Sequence, residues 1–319
     1  MKALVFSDGK LKYDGSYPEP DLKSDEVLIA VKYAGICNTD LEILKGYMGF
    51  SGVPGHEFVG TVAKGPKALT GKRVVAEINC LCGKCEMCQS GLSNHCLNRK
   101  TIGIDGHDGA FAEYLAIPQR NVHLLPEDVS DEEAVFVEPL AAAMQIVQQV
   151  PIERRHKVAV IGDGKLGLLA VQVLANSGTK GNIVLVGKNE HKLMFAEKRG
   201  IQGIMLSDML LKPQWDVVVD CSGTTDGFAT ACKLVRPRGK LVLKSTWVSD
   251  TPVDLSPLVI NEVTLIGSRC GPFANAINAL AAEQVVTNGL ITARFPLANG
   301  IEAMEKAKQP NQIKVLLEI

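Results

Sequence analysis

The chain has no apolar run that approaches the ~20 residues a membrane-spanning helix needs. Its first residues, Met1 to Gly9, read as a short strand and turn without the apolar core of a secretory leader. It has no excess of either charge: 34 lysines and arginines stand against 35 aspartates and glutamates. No global field therefore favours nucleic acid or an anionic membrane. Internal repeats and low-complexity tracts are also missing. A cytoplasmic location is the expectation that these absences leave. Nine cysteines would be reduced there, so clustered ones are read as metal ligands before disulfides.

What is present is a long, core-rich chain. Its 319 residues, 46% hydrophobic and 22% charged, suggest two globular domains. Residues 1 to about 125 read as β-rich, with short apolar stretches (Glu26 to Val31, Val59 to Val62, Lys72 to Ala76) separated by Gly, Pro and Asp turns. From about Lys157 strands and helices alternate, which predicts a parallel sheet covered on both faces. Strands are expected at 158–161, 182–186, 215–220, 240–243 and 263–266. Helices are expected from Leu166 to Asn176, closed by Gly178, and from Asn189 to Arg199, stopped by Gly200. The last ~45 residues hold two helices and strand-like segments at 294–297 and 313–318, and are expected to rejoin the first domain.

The strongest local signal is Cys82-Gly83-Lys84-Cys85-Glu86-Met87-Cys88, with Cys96 following after seven residues. Two such spacings curl a loop around a point, and a fourth thiol closes a tetrahedron suited to zinc. An iron–sulfur cluster is the rival, but there the fourth cysteine usually comes three residues on and precedes proline; here the gap is longer and Leu97 follows. A site filled by four protein ligands is structural. Cys80 lies outside the spacing.

A different trio suggests chemistry. Cys37, His56 and Glu138, the last before a proline turn at Pro139, offer one sulfur, one nitrogen and one oxygen donor. Brought together by folding, they would make a three-ligand zinc site with an open position.

Val160 to Gly167 carries G-x-G-x-x-G directly after an apolar strand and at the start of a helix. In that context Gly162 permits the tight turn and Gly164 lets backbone approach a pyrophosphate. Gly167 lets helix and strand pack, with Lys165 and Leu166 at the helix start. About 20 residues on, an acidic residue would hold the ribose of NAD. The chain has Gly187-Lys188-Asn189 there, a cation and no carboxylate, which favours NADP over NAD by charge complementarity. Ser222, Gly223, Ser245 and Thr246, at later strand ends, are further cofactor candidates.

Taken together, these segments resemble the zinc-dependent medium-chain alcohol dehydrogenase family along essentially the whole chain. Gly35-Ile36-Cys37 with Thr39-Asp40, Gly55-His56-Glu57 with Gly60, the cysteine loop, Glu138-Pro139-Leu140-Ala141 and the dinucleotide turn carry the likeness, and Gly109 to Tyr114 matches a structural strand of the family. Glu at the third ligand position is most similar to the polyol, sorbitol, threonine and glucose dehydrogenase branch. The resemblance implies an α/β fold: a GroES-like catalytic domain over 1–138 and 271–319, and a Rossmann domain over 139–270. It implies a homodimer or homotetramer paired through the sheet edge at Leu265 to Cys270. Cys37, His56 and Glu138 would hold the catalytic zinc, with Glu57 a nearby second carboxylate, and Cys82, Cys85, Cys88 and Cys96 a structural zinc. Thr39 would take the proton of a polyol or secondary alcohol whose carbon gives hydride to NAD(P).

Two departures from the family stand out: Glu42 replaces the usual outer relay histidine, and Asn38 follows the zinc cysteine. His107, in a glycine-flanked turn, is a candidate pocket residue, whereas His95, His123, His156 and His191 lack ligand spacing. A zinc-free quinone or enone reductase of the same superfamily would lack the Cys37, His56 and Glu138 set. A non-catalytic dinucleotide-binding protein would lose the open site and keep the cysteine loop.

Overall fold

The structure, a computed structural model, describes residues 1–179, 181–246 and 252–319. Two compact units emerge from its contacts. The first is Met1–Glu138 with Ala276–Ala281 and Val286–Ile319, and the second is Pro139–Asn275 with Ala282–Val285. The chain thus returns to the first unit later than Gly271, and 282–285 stay with the second.

In the first unit the main sheet runs, in spatial order, Val122–Leu124, Arg73–Ala76, Glu57–Lys64, Glu26–Gly35, Lys314–Glu318 and Ile291–Pro296, with Tyr114–Pro118 also on Glu26–Gly35. The last two of the row pair parallel and the other pairs are antiparallel. Glu26–Gly35 is the hub because its side chains are buried along most of its length, so it can carry neighbours on both edges. Beside this sheet lie the hairpin Ala3–Ser7 with Lys10–Asp14 and a small sheet of Asn79–Cys80, Lys100–Ile102 and Gly106–His107.

The helix Val137–Gln149 carries the chain from one unit to the next. Pro139 therefore sits inside a first helical turn, where its missing N–H costs nothing, and not in the loop-like turn that the sequence suggested.

The second unit holds six parallel strands in the order 202–205, 183–187, 158–161, 215–220, 235–243, 264–267. Val158–Ile161 and Ile183–Gly187 are buried at every position, as strands covered on both faces must be. The chain steps outward from 158–161 in one direction and then returns to step outward in the other. Strand ends diverge at that switch point, which is where such sheets bind ligands. Helix Lys165–Leu174 buries eight of its residues and is extended by a wider turn, Ala175–Thr179. The fifth strand is longer than expected, Val235–Leu243, and the sixth ends at Gly267, short of Cys270. Among the described residues no helix is long and apolar enough to cross a membrane.

Candidate active site and metal centres

Strand pairing builds the first site. Gly35, the last residue of its strand, faces Glu57, the first residue of the next, and on its other side Leu316 of the final strand. Cys37 follows Gly35 by two residues and His56 precedes Glu57 by one. Antiparallel register alone therefore delivers a thiol, an imidazole and a carboxylate to one end of the sheet. Their ligand atoms lie within 4.8 Å of one another.

A buried shell holds these donors. Cys37 stands at the start of helix Asn38–Ile43 and its N–H donates to Asp40 Oδ2 at 2.7 Å. Asp40 Oδ1 lies 3.3 Å from His56 Nδ1, both side chains being buried. A carboxylate behind a histidine fixes the ring and leaves the other nitrogen for a metal. Burial alone would push His56 down, but the Asp40 charge and hydrogen bonds to Asp40 and Cys37 outweigh it and hold the ring well above the usual histidine value. The Cys37 thiol also reaches Thr39 Oγ1 at 3.7 Å.

Glu57 is ion-paired through Oε2 with Lys314 Nζ, and neither side chain touches solvent. Burial pulls the Lys314 ammonium down to about 8, opposed by the charges of Cys37 and Asp40. Gly35 makes the room: a Cβ there would lie 2.8 Å from Val135 Cγ1, 3.0 Å from Glu57 Oε2 and 3.1 Å from Lys314 Cδ.

The second site is the cysteine loop, where the sulfurs of Cys82, Cys85, Cys88 and Cys96 also lie within 4.8 Å of one another. Zn–S bonds of about 2.3 Å place the sulfurs of a tetrahedron about 3.8 Å apart. The separations here are 3.5 Å for Cys85–Cys88, 3.8 Å for Cys85–Cys96 and 3.5 Å for Cys96–Cys82. Backbone N–H groups of Lys84 and Cys85 draw Cys82 down to about 6, while desolvation and its thiol neighbours push Cys88 up to about 12. Crowded sulfurs competing for one negative charge are a donor set that a divalent cation satisfies. Both sets fit zinc: four sulfurs without an open position, and a mixed S/N/O set at a sheet end.

The expected trio is only partly assembled. The carboxylate gathered with Cys37 and His56 is Glu57, because register places it opposite Gly35. Glu138, half-buried in the first turn of the connecting helix, lies outside that group. Glu42 is buried and paired with Lys45 at 2.7 Å, and Asn38 is exposed. His107 Nδ1 lies 2.7 Å from the Asp108 carbonyl.

In the second unit Gly162 has φ +107, Gly164 precedes the helix that Lys165 and Leu166 begin, and Gly167 packs against the Gly162 carbonyl. Ser222 and Gly223 follow the strand ending at Asp220, and Ser245 and Thr246 follow the one ending at Leu243. All lie at the carboxyl edge of the parallel sheet. Lys188 is exposed. Sequence reasoning gave no role to Asp40, Lys314 or Asp163. Lys314 had a signal, a lone cation in the apolar run Ile313 to Leu317.

Residues 23–127 match the alcohol dehydrogenase GroES-like domain and residues 166–284 the zinc-binding dehydrogenase domain. The chain is 30% identical to a D-arabitol-phosphate dehydrogenase of Enterococcus avium, over 94% of this chain and 91% of the relative. It is 29% identical to a sorbitol dehydrogenase of Halalkalibacterium halodurans, over 94% and 93%. Among solved structures, a zinc-binding dehydrogenase from Sinorhizobium meliloti bound to NADP superposes with a TM-score of 0.88 at 27% identity, covering 100% of this chain and 99% of that one. An alcohol dehydrogenase from Escherichia coli CFT073 complexed with NADH does so with 0.89 at 27%, with the same coverage.

Proposed function

The chain belongs to the zinc-dependent medium-chain dehydrogenase family, in its polyol branch, and from that premise we propose that it moves hydride between a nicotinamide cofactor and a polyol or other secondary alcohol. The observation that carries this reading is the convergence of Cys37, His56 and Glu57 within 4.8 Å. Zinc-free reductases of the superfamily have no use for that trio, and a non-catalytic binding module would not need to keep it.

Zinc in this donor set supplies a Lewis acid to the substrate oxygen, and the nicotinamide supplies the hydride acceptor. The chain's own residues do the rest. Asp40 fixes the His56 ring, and Lys314 holds Glu57 at the sheet end. Glu138 is the further carboxylate that we assign to the same shell. The Thr39 hydroxyl, beside Cys37, takes the proton that leaves the substrate hydroxyl, and Glu42 or solvent carries it outward. Gly162, Gly164 and Gly167, with the N–H groups of Lys165 and Leu166, form the pyrophosphate seat. Ser222, Gly223, Ser245 and Thr246 border the cofactor at the strand ends. The four-thiol loop holds a second, structural zinc.

All nine cysteines are free, which suits the reducing cytoplasm we propose as its compartment. We also assign a dimer or tetramer. Leu265 on the edge strand is 43% exposed, and Val259 and Ile260 on the preceding helix are 77% and 78% exposed, apolar side chains that a second copy would cover. Light scattering should return a dimer or tetramer; a monomer would overturn that part.

The test of the activity is a panel of polyols and secondary alcohols with NAD and NADP, together with metal analysis. Turnover that Cys37→Ser abolishes, with two zinc equivalents falling to one, is the expected result. Turnover indifferent to that substitution would overturn the mechanism. Zinc retention in Glu57→Gln and Glu138→Gln separates the two carboxylates.

A further inference from the structure

The end of the second parallel strand decides between NAD and NADP. Lys188 taken alone points to NADP, since no carboxylate stands in the sequence at 187–189. The structure supplies one from elsewhere. Asp163, inside the glycine-rich turn, lays its side chain over Gly187, where a Cβ would come within 2.6 Å of both Asp163 Cβ and Oδ2. Its Oδ2 accepts the backbone N–H of Lys188 at 2.9 Å and of Asn189 at 2.7 Å. Gly187 is therefore a gap in the strand end that a carboxylate from the neighbouring turn fills.

We propose that Asp163 is the ribose-selecting residue, and that it makes this chain prefer NADH to NADPH. The inference rests on the nicotinamide reading above and runs against the NADP preference that Lys188 suggested. Two consecutive N–H groups at a turn are what a 2′-phosphate would use, and here both already serve a carboxylate. The remaining lone pairs of that carboxylate are acceptors for a ribose hydroxyl, which a phosphate cannot satisfy because it brings no proton and adds like charge. Asp163 is half-exposed, so a ligand can reach it. Burial pulls the Lys192 ammonium below the usual lysine value, which the Asp163 charge offsets only in part. Lys188 keeps its side chain exposed, where solvent screens its pull on a phosphate.

The test is titration of the zinc-loaded full chain with NADH and NADPH, read by nucleotide fluorescence, with no turnover involved. One carboxylate charge about 5 Å from a phosphate charge in a partly solvated site corresponds to a preference on the order of ten- to a hundredfold. The unaltered chain should bind NADH tighter by that ratio. Asp163→Asn keeps the shape and the acceptor oxygen and loses only charge, and should narrow the ratio about tenfold, chiefly by tightening NADPH. Asp163→Gly combined with Gly187→Asp removes the Cβ that a side chain at 187 would strike, returns a carboxylate to the strand end and should restore the NADH preference. Tighter NADPH binding by the unaltered chain, or an unchanged ratio in Asp163→Asn, would overturn this inference alone. Absence of binding by either nucleotide would overturn the nicotinamide reading and this inference with it.

Discussion

Replacing Lys314 with methionine isolates a single buried charge. Methionine has nearly the same length, so the substitution leaves little cavity and no new steric conflict. What it removes is the ammonium paired with Glu57 at a place where both side chains have 0% exposure. That ammonium also lies 3.5 Å from the Ile36 carbonyl and 5.7 Å from the centre of the Phe136 ring. Breaking such a pair from one side leaves an uncompensated charge in low dielectric, and costs about 3–5 kcal/mol. Against a typical domain stability of roughly 5–15 kcal/mol, that is a large fraction.

Urea unfolding, with the midpoint and slope fitted separately, measures the loss. Glu57→Gln combined with Lys314→Met should recover most of it, because a neutral pair of similar volume is close to neutral in stability. The recovery makes the argument specific to charge. A loss below about 1 kcal/mol in Lys314→Met, or a double variant no more stable than the single one, would refute the claim that the pair is buried and coupled.

Gly35→Ala should destabilise the first unit by about 1–3 kcal/mol through overpacking and lower zinc content, since its Cβ would press on Val135, Glu57 and Lys314; unfolding and metal analysis read the two effects. Cys88→Ala opens the four-sulfur loop, so the zinc equivalents should fall from two to one and the loop 82–96 should become a protease cleavage site. Partial burial pushes the Asp131 carboxyl up, but Lys32 at 2.5 Å and Arg73 at 2.6 Å outweigh it and hold its pKa below the usual aspartate value. Its stabilising contribution is complete above that usual value and is lost as pH falls through the lower folded one. Asp131→Asn should therefore flatten the acid limb of the stability profile in that window and leave the profile's slope at neutral pH unchanged.

The parallel sheet was legible because its strands are short apolar runs bounded by glycines and helix signals. Val158–Ile161 and Trp215–Asp220 fall where those patterns put them. The cysteine loop was legible because its donors are local and their spacing is their geometry. The other donor set was legible only in part. Cys37 and His56 sit in glycine-marked turns, but which carboxylate joins them depends on strand register. Pairing Gly35 with Glu57 is a long-range fact that no local pattern encodes. The length of the fifth strand escaped for a similar reason. It starts at Val235, opposite Trp215, and a register shift leaves 236–239 as extra residues before Lys240 pairs with Val217.

Both decisive carboxylates share a physical logic that the sequence shows only as an absence. At Gly35 and at Gly187 a strand end lacks a side chain, and an acid from another segment occupies the space: Glu57 over the first, Asp163 over the second. A carboxylate rooted on the strand itself could rotate into solvent. One lodged over a glycine is held by backbone on one side and by its partner on the other, Lys314 in one case and two N–H groups in the other. The glycine is thus the receptor for the charge. Reading Gly187 only as the loss of an acid counts residues along the strand, whereas the proposal that Asp163 selects the ribose counts charges in space. A larger residue at Gly187 must displace Asp163, and one at Gly35 must press on Val135 and Glu57. Gly187→Ala, which adds a single methyl group, should therefore loosen Asp163 and weaken NADH more than NADPH. Equal weakening of the two nucleotides would leave Gly187 as a packing residue and nothing more.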